Sequence, residues 1–330
     1  MDESLFQCIP NVSEGRRTEV VEAFAQAIRD VPGAHLLDYS SDWDHHRAVF
    51  TLVGQRRPLL AAILAMYRVA ERHVDLTRHR GAHPRIGAVD VVPFVPLRDT
   101  PMEAACDLAL EVAHAVAEGF EVPVYLYEEC ARHPERRSLA WLRRGGLDAV
   151  RAGIATPLRR PDLGPARLHP RLGASVIGAR RPLLAFNVLL DTDDVEVARA
   201  VAHRVRERDG GLSNLRALGI FLAERGRAQV SMNLVDPERT PLYLALEMVR
   251  MEARRFGARI LSTEVIGVPP LGVVAETAAY YMQWEGFSPD RILEHHLLRI
   301  ARGEGVDGVS ARVFGQESPG SQDAGQKEEM

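Results

Sequence analysis

The segment RHRGAHPRIG, residues 78–87, gathers two imidazoles and three guanidiniums on a stretch too broken for a helix and too polar for an ordinary hairpin. His79 and His83 stand four apart, the spacing with which a helix presents two zinc ligands. Gly81 lies between them and Pro84 follows at once, so a helix here is not expected. No third ligand of suitable spacing accompanies them, and a metal site is not expected either. Two readings of the segment remain open, a solvated basic loop and a binding or catalytic site. Pro84 pushes the backbone of His83 toward an extended conformation, and Gly81 and Gly87 permit bends on either side. That is how a side chain is held at a fixed angle on non-repetitive backbone. A histidine so held can accept and donate a proton near neutral pH.

His45 and His46 are adjacent in the turn SDWDHH. Neighbouring side chains on extended backbone point to opposite faces, so a shared site is not expected. His45 reads as a turn residue, whereas His46 and Arg47 open a strand and can project into an interface. The chain lacks the glycine-rich signatures of dinucleotide and nucleoside-triphosphate sites, and it has no G-x-S-x-G nucleophile elbow.

The elements that must position these residues alternate between strand and helix. Residues 4–9, 35–40, 47–54 and 89–97 read as strands. Residues 18–30, with Val20, Phe24 and Ile28 each four apart, and 57–73 read as helices. The order is β-α-β-β-α-β. The second half repeats it, with strands at 183–190, 215–222, 227–235 and 259–267 and helices at 193–208 and 240–257. Thr240 is expected to cap the last helix, with Pro241 in its first turn and Gly257 closing it. The fold class is α/β (α+β), with two ferredoxin-like βαββαβ subdomains. Each such unit has one bare sheet face, and two copies cover each other with facing sheets and helices outside. The expected boundaries are 1–178, 179–314 and a polar, disordered tail at 315–330. Between the repeats lie a helix at 101–119, a strand at 122–129, a helix at 136–152 and a Pro/Gly-rich stretch at 159–175. By composition the last is a linker, although it is long for a structureless connection.

The 330 residues carry 41 basic and 45 acidic side chains, a formal net charge of −4. That balance gives no global attraction to nucleic acid or an anionic membrane, so anionic ligands must be held by local arginine clusters. Cys8, Cys106 and Cys130 are odd in number, far apart and without C-x-x-C spacing, so a disulfide framework is not expected. The N-terminus does not read as a signal peptide, and no apolar run is long enough to span a membrane. The expected location is cytoplasmic.

Six segments in order, CIPNVSEGR (8–16), DHHRAVFTLVG (44–54), HRGAHPRIGAVDVVPFVPL (79–97), VPVYLYEE (122–129), PDLGPARLHPRLGASVIGARRPLLAFNV (161–188) and AQVSMNLVDPERTPLY (228–243), resemble the glutamate formiminotransferase family. The resemblance implies transfer of the formimino group of N-formimino-L-glutamate to N5 of tetrahydrofolate, a late step of histidine breakdown. It implies two similar subdomains with a substrate tunnel between them, a stand-alone transferase without a cyclodeaminase domain, tetrahydrofolate as co-substrate, no metal, and a homodimer. The family's catalytic histidine sits in a Gly-x-His-Pro-Arg motif, which maps onto His83. Its folate-contacting loop maps onto Gly164, Pro165, Ala166, Arg167, Leu168, His169, Pro170, Arg171, Leu172 and Gly173, which makes the apparent linker a site. The substrates' carboxylates call for arginine forks. Arg47, Arg85, Arg171 and Arg180 are the candidates within the matched segments. Two departures stand out: Ala82, where some relatives carry an acid, and RRGGLD (143–148), which lacks a Gly-Glu-Tyr run. An N-formylglutamate donor and a folate-binding module without turnover remain as alternatives, although a pure binder has no need of a positioned base.

Overall fold

The computed structural model describes residues 4–81 and 84–301. Its first half opens with strands β1 (Leu5–Cys8) and β2 (Asn11–Val12), followed by helix α1 (Thr18–Arg29). Strands β3 (Ala34–Asp42) and β4 (Arg47–Gly54), helix α2 (Arg56–His73) and strand β5 (Val89–Leu97) come next. β1 pairs antiparallel with β4 on one side and β5 on the other, and β3 pairs with β4. Fourth, first, third, second is the strand order of the ferredoxin-like unit. The helical spacing expected of α1 is realised, since Val20, Val21, Phe24, Ala25 and Ile28 are buried. α2 buries Leu59, Ala62, Ile63, Met66, Tyr67 and Ala70 in the same core. Each large apolar side chain so covered contributes about 1.5–3 kcal/mol.

The second half has β8 (Leu184–Leu190), α6 (Val195–Val205), β9 (Leu215–Leu222), β10 (Arg227–Leu234), α7 (Leu242–Arg254) and β11 (Ile260–Ile266). Its sheet runs β11-β8-β10-β9, the same order again. Asp194 caps α6 by accepting from the Glu196 amide at 2.8 Å. The expected Thr240 cap is not formed: α7 starts from Pro241, and the Thr240 hydroxyl donates to the Ser213 carbonyl at 2.7 Å.

Between the halves lie α3 (Met102–Phe120), β6 (Val124–Glu128), α4 (Leu139–Leu142), α5 (Gly146–Gly153) and β7 (Ser175–Ala179). Strand β7 was not anticipated. It slots between β5 and β6, parallel to both, and all five of its residues are buried. The helix expected over 136–152 is broken, because Gly145 and Gly146 take φ of 77° and 61°. The two pieces bury Leu142, Val150 and Ile154 against Val91, Tyr125 and Val176, covering this end of the sheet's second face. Cys106 and Cys130, distant in sequence, bring their free thiols to 2.6 Å.

The helix-free faces of the two sheets are linked at two points. Thr51 on β4 is buried, and a Cβ on Gly267, just after β11, would lie 3.3 Å from its hydroxyl. Arg216 on β9 pairs with Glu128 on β6 at 3.5 Å. On the second sheet this face is largely polar: Asn187 donates to Glu264 at 3.2 Å, and Ser231 and Asn233 lie across from Asn187 and Ala185. No helix among the described residues is long and apolar enough to cross a membrane.

Candidate functional site

Three segments meet beside the start of β4: the stretch after β2, the β3–β4 turn and the described residues of the segment from 78 to 87, namely 78–81 and 84–87. Close backbone approach brings them together. A Cβ on Gly15 would lie 2.4 Å from both the Arg47 nitrogen and the Asp42 oxygen, and one on Gly81 would lie 2.6 Å from the His45 oxygen. Neither glycine tolerates a side chain without backbone movement.

Glu14 is the anchor, with 1% of its side chain exposed. Its carboxylate accepts from the backbone amides of Arg16 and Arg17 at 2.9 and 3.0 Å and from the Arg17 Nε at 2.7 Å. Burial alone would raise its pKa, but these amides and the Arg17 charge outweigh that and hold it below the ordinary value. The third partner of Glu14 is His46, whose Nε2 lies 3.2 Å from Oε1. His46 has a φ of 50°, in the left-handed region, and its ring stacks on His79 with centroids 3.8 Å apart. His79 Nε2 in turn lies 3.0 Å from the His46 carbonyl oxygen. A carboxylate and a carbonyl only accept, so both rings carry their proton on Nε2 and both Nδ1 atoms are bare acceptors. Burial, then the charge of Arg85, pushes His79 down to about 3. Burial also lowers His46, against the pull of Glu14. The stack is therefore neutral at neutral pH.

A small cleft lies beside this stack, lined by Asn11, His45, His46, Arg47, Arg85 and Asp90 among others. Asp90 accepts from the Ile86 and Gly87 amides at 2.7 and 3.0 Å and pairs with Arg143. Burial, with Arg143 nearby, lowers the Arg47 guanidinium to about 9, so it stays cationic at neutral pH. Of the four arginines singled out in the sequence, Arg47 and Arg85 line this cleft, while Arg171 and Arg180 do not. Arg180 follows β7, where its amide donates to Phe94 at 2.9 Å. His83 and Ala82 lie outside the described residues. His45 is a turn residue, as expected, with Nδ1 2.8 Å from Asp42. Among the described residues no cluster of three or more metal-ligating side chains occurs.

Family models match both halves of the chain: the N-terminal subdomain of the formiminotransferase domain over residues 5–180, and the formiminotransferase domain over 185–309. The chain belongs to the formiminotransferase family. It is 40% identical to a glutamate formimidoyltransferase of Streptococcus pyogenes over 89% of this chain and 99% of that protein. It is 39% identical to a glutamate formimidoyltransferase of Thermoplasma acidophilum over 91% of this chain and all of that one. A formimidoyltransferase-cyclodeaminase of Rattus norvegicus is 38% identical, and there the match covers 90% of this chain but 55% of the rat protein.

The loop that the formiminotransferase resemblance marks for folate is ordered by its own hydrogen bonds. His169 and Gly173 exchange two backbone bonds of 3.0 Å, and the His169 ring accepts from the Leu172 amide at 2.9 Å. Gly164 and Gly173 have φ of 79° and 72°. Gly173 abuts Ile86, where a Cβ would lie 2.3 Å from the carbonyl oxygen, so the loop end packs directly against the cleft-forming segment. Arg167 pairs with Glu121 at 3.5 Å, and Arg171 donates to the Val74 carbonyl at 3.3 Å. The loop starts from a buried ion pair between Asp162 and Arg136. Sequence reasoning missed Glu14, Asn11, Asp90, Arg136 and Arg143. The first two lay inside the quoted CIPNVSEGR segment, but nothing local marked them as buried.

Proposed function

We propose that this chain transfers the formimino group of N-formimino-L-glutamate to N5 of tetrahydrofolate, giving 5-formiminotetrahydrofolate and L-glutamate in histidine degradation. The observation that carries this reading is the near full-length identity to the streptococcal glutamate formimidoyltransferase. A bond forms between N5 and the formimino carbon, and the bond from that carbon to the glutamate nitrogen breaks. N5 loses one proton and the departing glutamate nitrogen gains one. His83 is the group proposed to move it, which is worth ~10²–10⁴-fold in rate. It lies two residues from both Gly81 and Arg85, which flank the His46–His79 stack and the cleft. The stack itself is a poor proton carrier at neutral pH, since His79 is held down to about 3.

Arg47 and Arg85 are proposed to hold substrate carboxylate, as guanidinium forks do. Residues 164–173 are proposed to hold the folate, with the positive φ of Gly164 and Gly173 shaping the loop. The subdomains are taken as 1–178 and 179–314, with a polar tail at 315–330 that lies outside the described residues, and the assembly as a cytoplasmic homodimer. Holding both substrates together contributes as much to rate as the proton transfer, or more. The test is to titrate tetrahydrofolate with and without N-formimino-L-glutamate while following the absorbance of the folate product. Growth of the 5-formimino product only with both present is the expected result. Folate binding without turnover would leave a binding module instead.

A further inference from the structure

A pair of thiols lies outside the site described above. Cys106 sits in the first turns of α3, half-buried beside the buried Ala105 and Leu108. Cys130, also half-buried, sits in the turn that follows β6. Backbone bonds fix that turn: the Cys130 amide donates to Tyr127 and the Ala131 amide to Glu128, each at 3.2 Å, and the Glu129 amide donates to Ala179 at 3.0 Å. Cys130 Sγ accepts from the Ala179 amide at 3.0 Å. Its own S–H donates to the Cys106 sulfur at 2.6 Å. Helix, turn and strand end thus bring two free thiols, 24 residues apart, to within about 0.6 Å of the length of a disulfide bond.

The two sulfurs are not equivalent. The bond from Cys130 stabilises the anion on Cys106 and holds its pKa below the ordinary thiol value, against burial and the nearby Glu129, Asp107 and Glu103. The same bond, with burial, pushes Cys130 up. Cys8, the remaining cysteine, is fully buried in the core, and burial pushes its thiol up as well. The thiolate is the reactive form, so Cys106 is the nucleophile of the pair and Cys8 is inert. We propose that Cys106 and Cys130 form a site of reversible oxidation, at which hydrogen peroxide converts the two thiols into an intrachain disulfide that clamps α3 to the ends of β6 and β7. The Cys106 thiolate attacks one peroxide oxygen, the O–O bond breaks, and hydroxide leaves a sulfenic acid on Cys106. The Cys130 sulfur then attacks the Cys106 sulfur, the S–O bond breaks, and the Cys130 proton leaves with the departing hydroxide as water. In sum the two thiols give up two electrons and two hydrogens, and the peroxide becomes two waters. A dithiol reductant reverses the step by exchange. The clamp fastens the end of β7 at Ala179, from which the chain crosses to β8 at Leu184 and the second repeat.

The experiment treats the full chain with hydrogen peroxide and counts free thiols before and after, with non-reducing electrophoresis and peptide mapping. Of the chain's three thiols, two should disappear and one remain. The mapped cross-link should join Cys106 to Cys130 within one chain, and dithiothreitol should restore all three thiols. Calorimetry should show Tm higher by roughly 5–10 °C in the oxidised protein, the effect of closing a loop of this length without strain. Cys130→Ser should accumulate a sulfenic acid that dimedone traps on Cys106, whereas Cys106→Ser should give no adduct on Cys130. Three thiols surviving peroxide that oxidises free cysteine refute the proposal, as do a cross-link between chains or through Cys8 and an oxidation that dithiothreitol does not reverse. A correct cross-link that leaves Tm level or lowers it refutes the claim that the fold already seats the pair. Equal trapping in the two variants refutes the roles given to the two sulfurs. The thiol count of the wild type decides the proposal without any variant, so a variant that does not fold leaves the test intact.

Discussion

Replacing Arg136 by Met should destabilise the first subdomain by about 3–5 kcal/mol, because it strands a buried carboxylate. Arg136 and Asp162 are 2% and 3% exposed and lie 2.5 Å apart. The guanidinium also donates to the carbonyls of Leu158 and Arg160 at 3.2 and 2.6 Å and lies 5.5 Å from the centre of the Tyr125 ring. The Asp162 carboxylate accepts from the Leu126 amide on β6 at 2.9 Å. The pair thus ties three backbone stretches together, residues 134–137, residues 158–162 and β6, at the point where the 161–173 loop departs. At about 2–4 °C per kcal/mol for a domain of this size, the single change lowers Tm by roughly 6–20 °C. Calorimetry measures the shift, and a double-mutant cycle separates the pair from the burial. Arg136→Met with Asp162→Leu removes both charges, so the double variant should lose clearly less than the sum of the two singles. A single substitution costing under about 1 kcal/mol, or strictly additive losses, would refute the claim that this pair is buried and coupled.

Acid should weaken the fold in two steps. His79 is held at about 3 in the folded protein against roughly 6.5 when unfolded. The unfolded chain therefore binds the extra proton first, and stability drains away as pH falls from about 6.5 toward 3. Glu14, lowered in the fold, contributes stability above its unfolded value, lost as pH falls through its folded one. The urea midpoint should drop from pH 7.5 to 5.0 in wild type and drop less in His79→Gln; equal drops would remove His79 from this account. His83→Ala should lower kcat by roughly 10²-fold or more with little change in folate affinity, and near-normal turnover would take His83 out of the mechanism. Gly164→Val and Arg171→Ala, made singly, should weaken binding of a tetrahydrofolate analogue in at least one case with the fold intact. If both bind like wild type, the loop is a connector.

The repeat was legible because each βαββαβ unit buries one helix face and alternating strand positions, and Val20, Phe24 and Ile28 or Val188 and Leu190 announce that periodicity. Strand β7 was not legible for the opposite reason. Covered on both faces between β5 and β6, its Ser175–Ala179 stretch shows no alternation and directly follows a loop rich in proline and glycine. The break in the 136–152 helix was written in Gly145-Gly146, but adjacent glycines tell a reader that a helix is weak, not that both residues turn left-handed.

Within the candidate site, composition marked residues 78–87, whereas the partners that give them a defined chemistry come from elsewhere in the chain. Glu14 sits among Ser, Gly and Arg, where a carboxylate reads as surface. Its burial follows from Gly15 docking on the β3–β4 turn, a contact without local signature. The argument from extended geometry expected no shared site for His45 and His46; one turns to Asp42 and the other to Glu14, yet both residues line the same cleft. It missed that His46 leaves extended geometry altogether. At φ 50° its ring swings onto His79, 33 residues away, and its carbonyl accepts a hydrogen bond from His79 Nε2. Local spacing constrains which faces neighbours share. The pairing of two imidazoles through one strained turn depends on three segments closing together, so only the folded chain displays it.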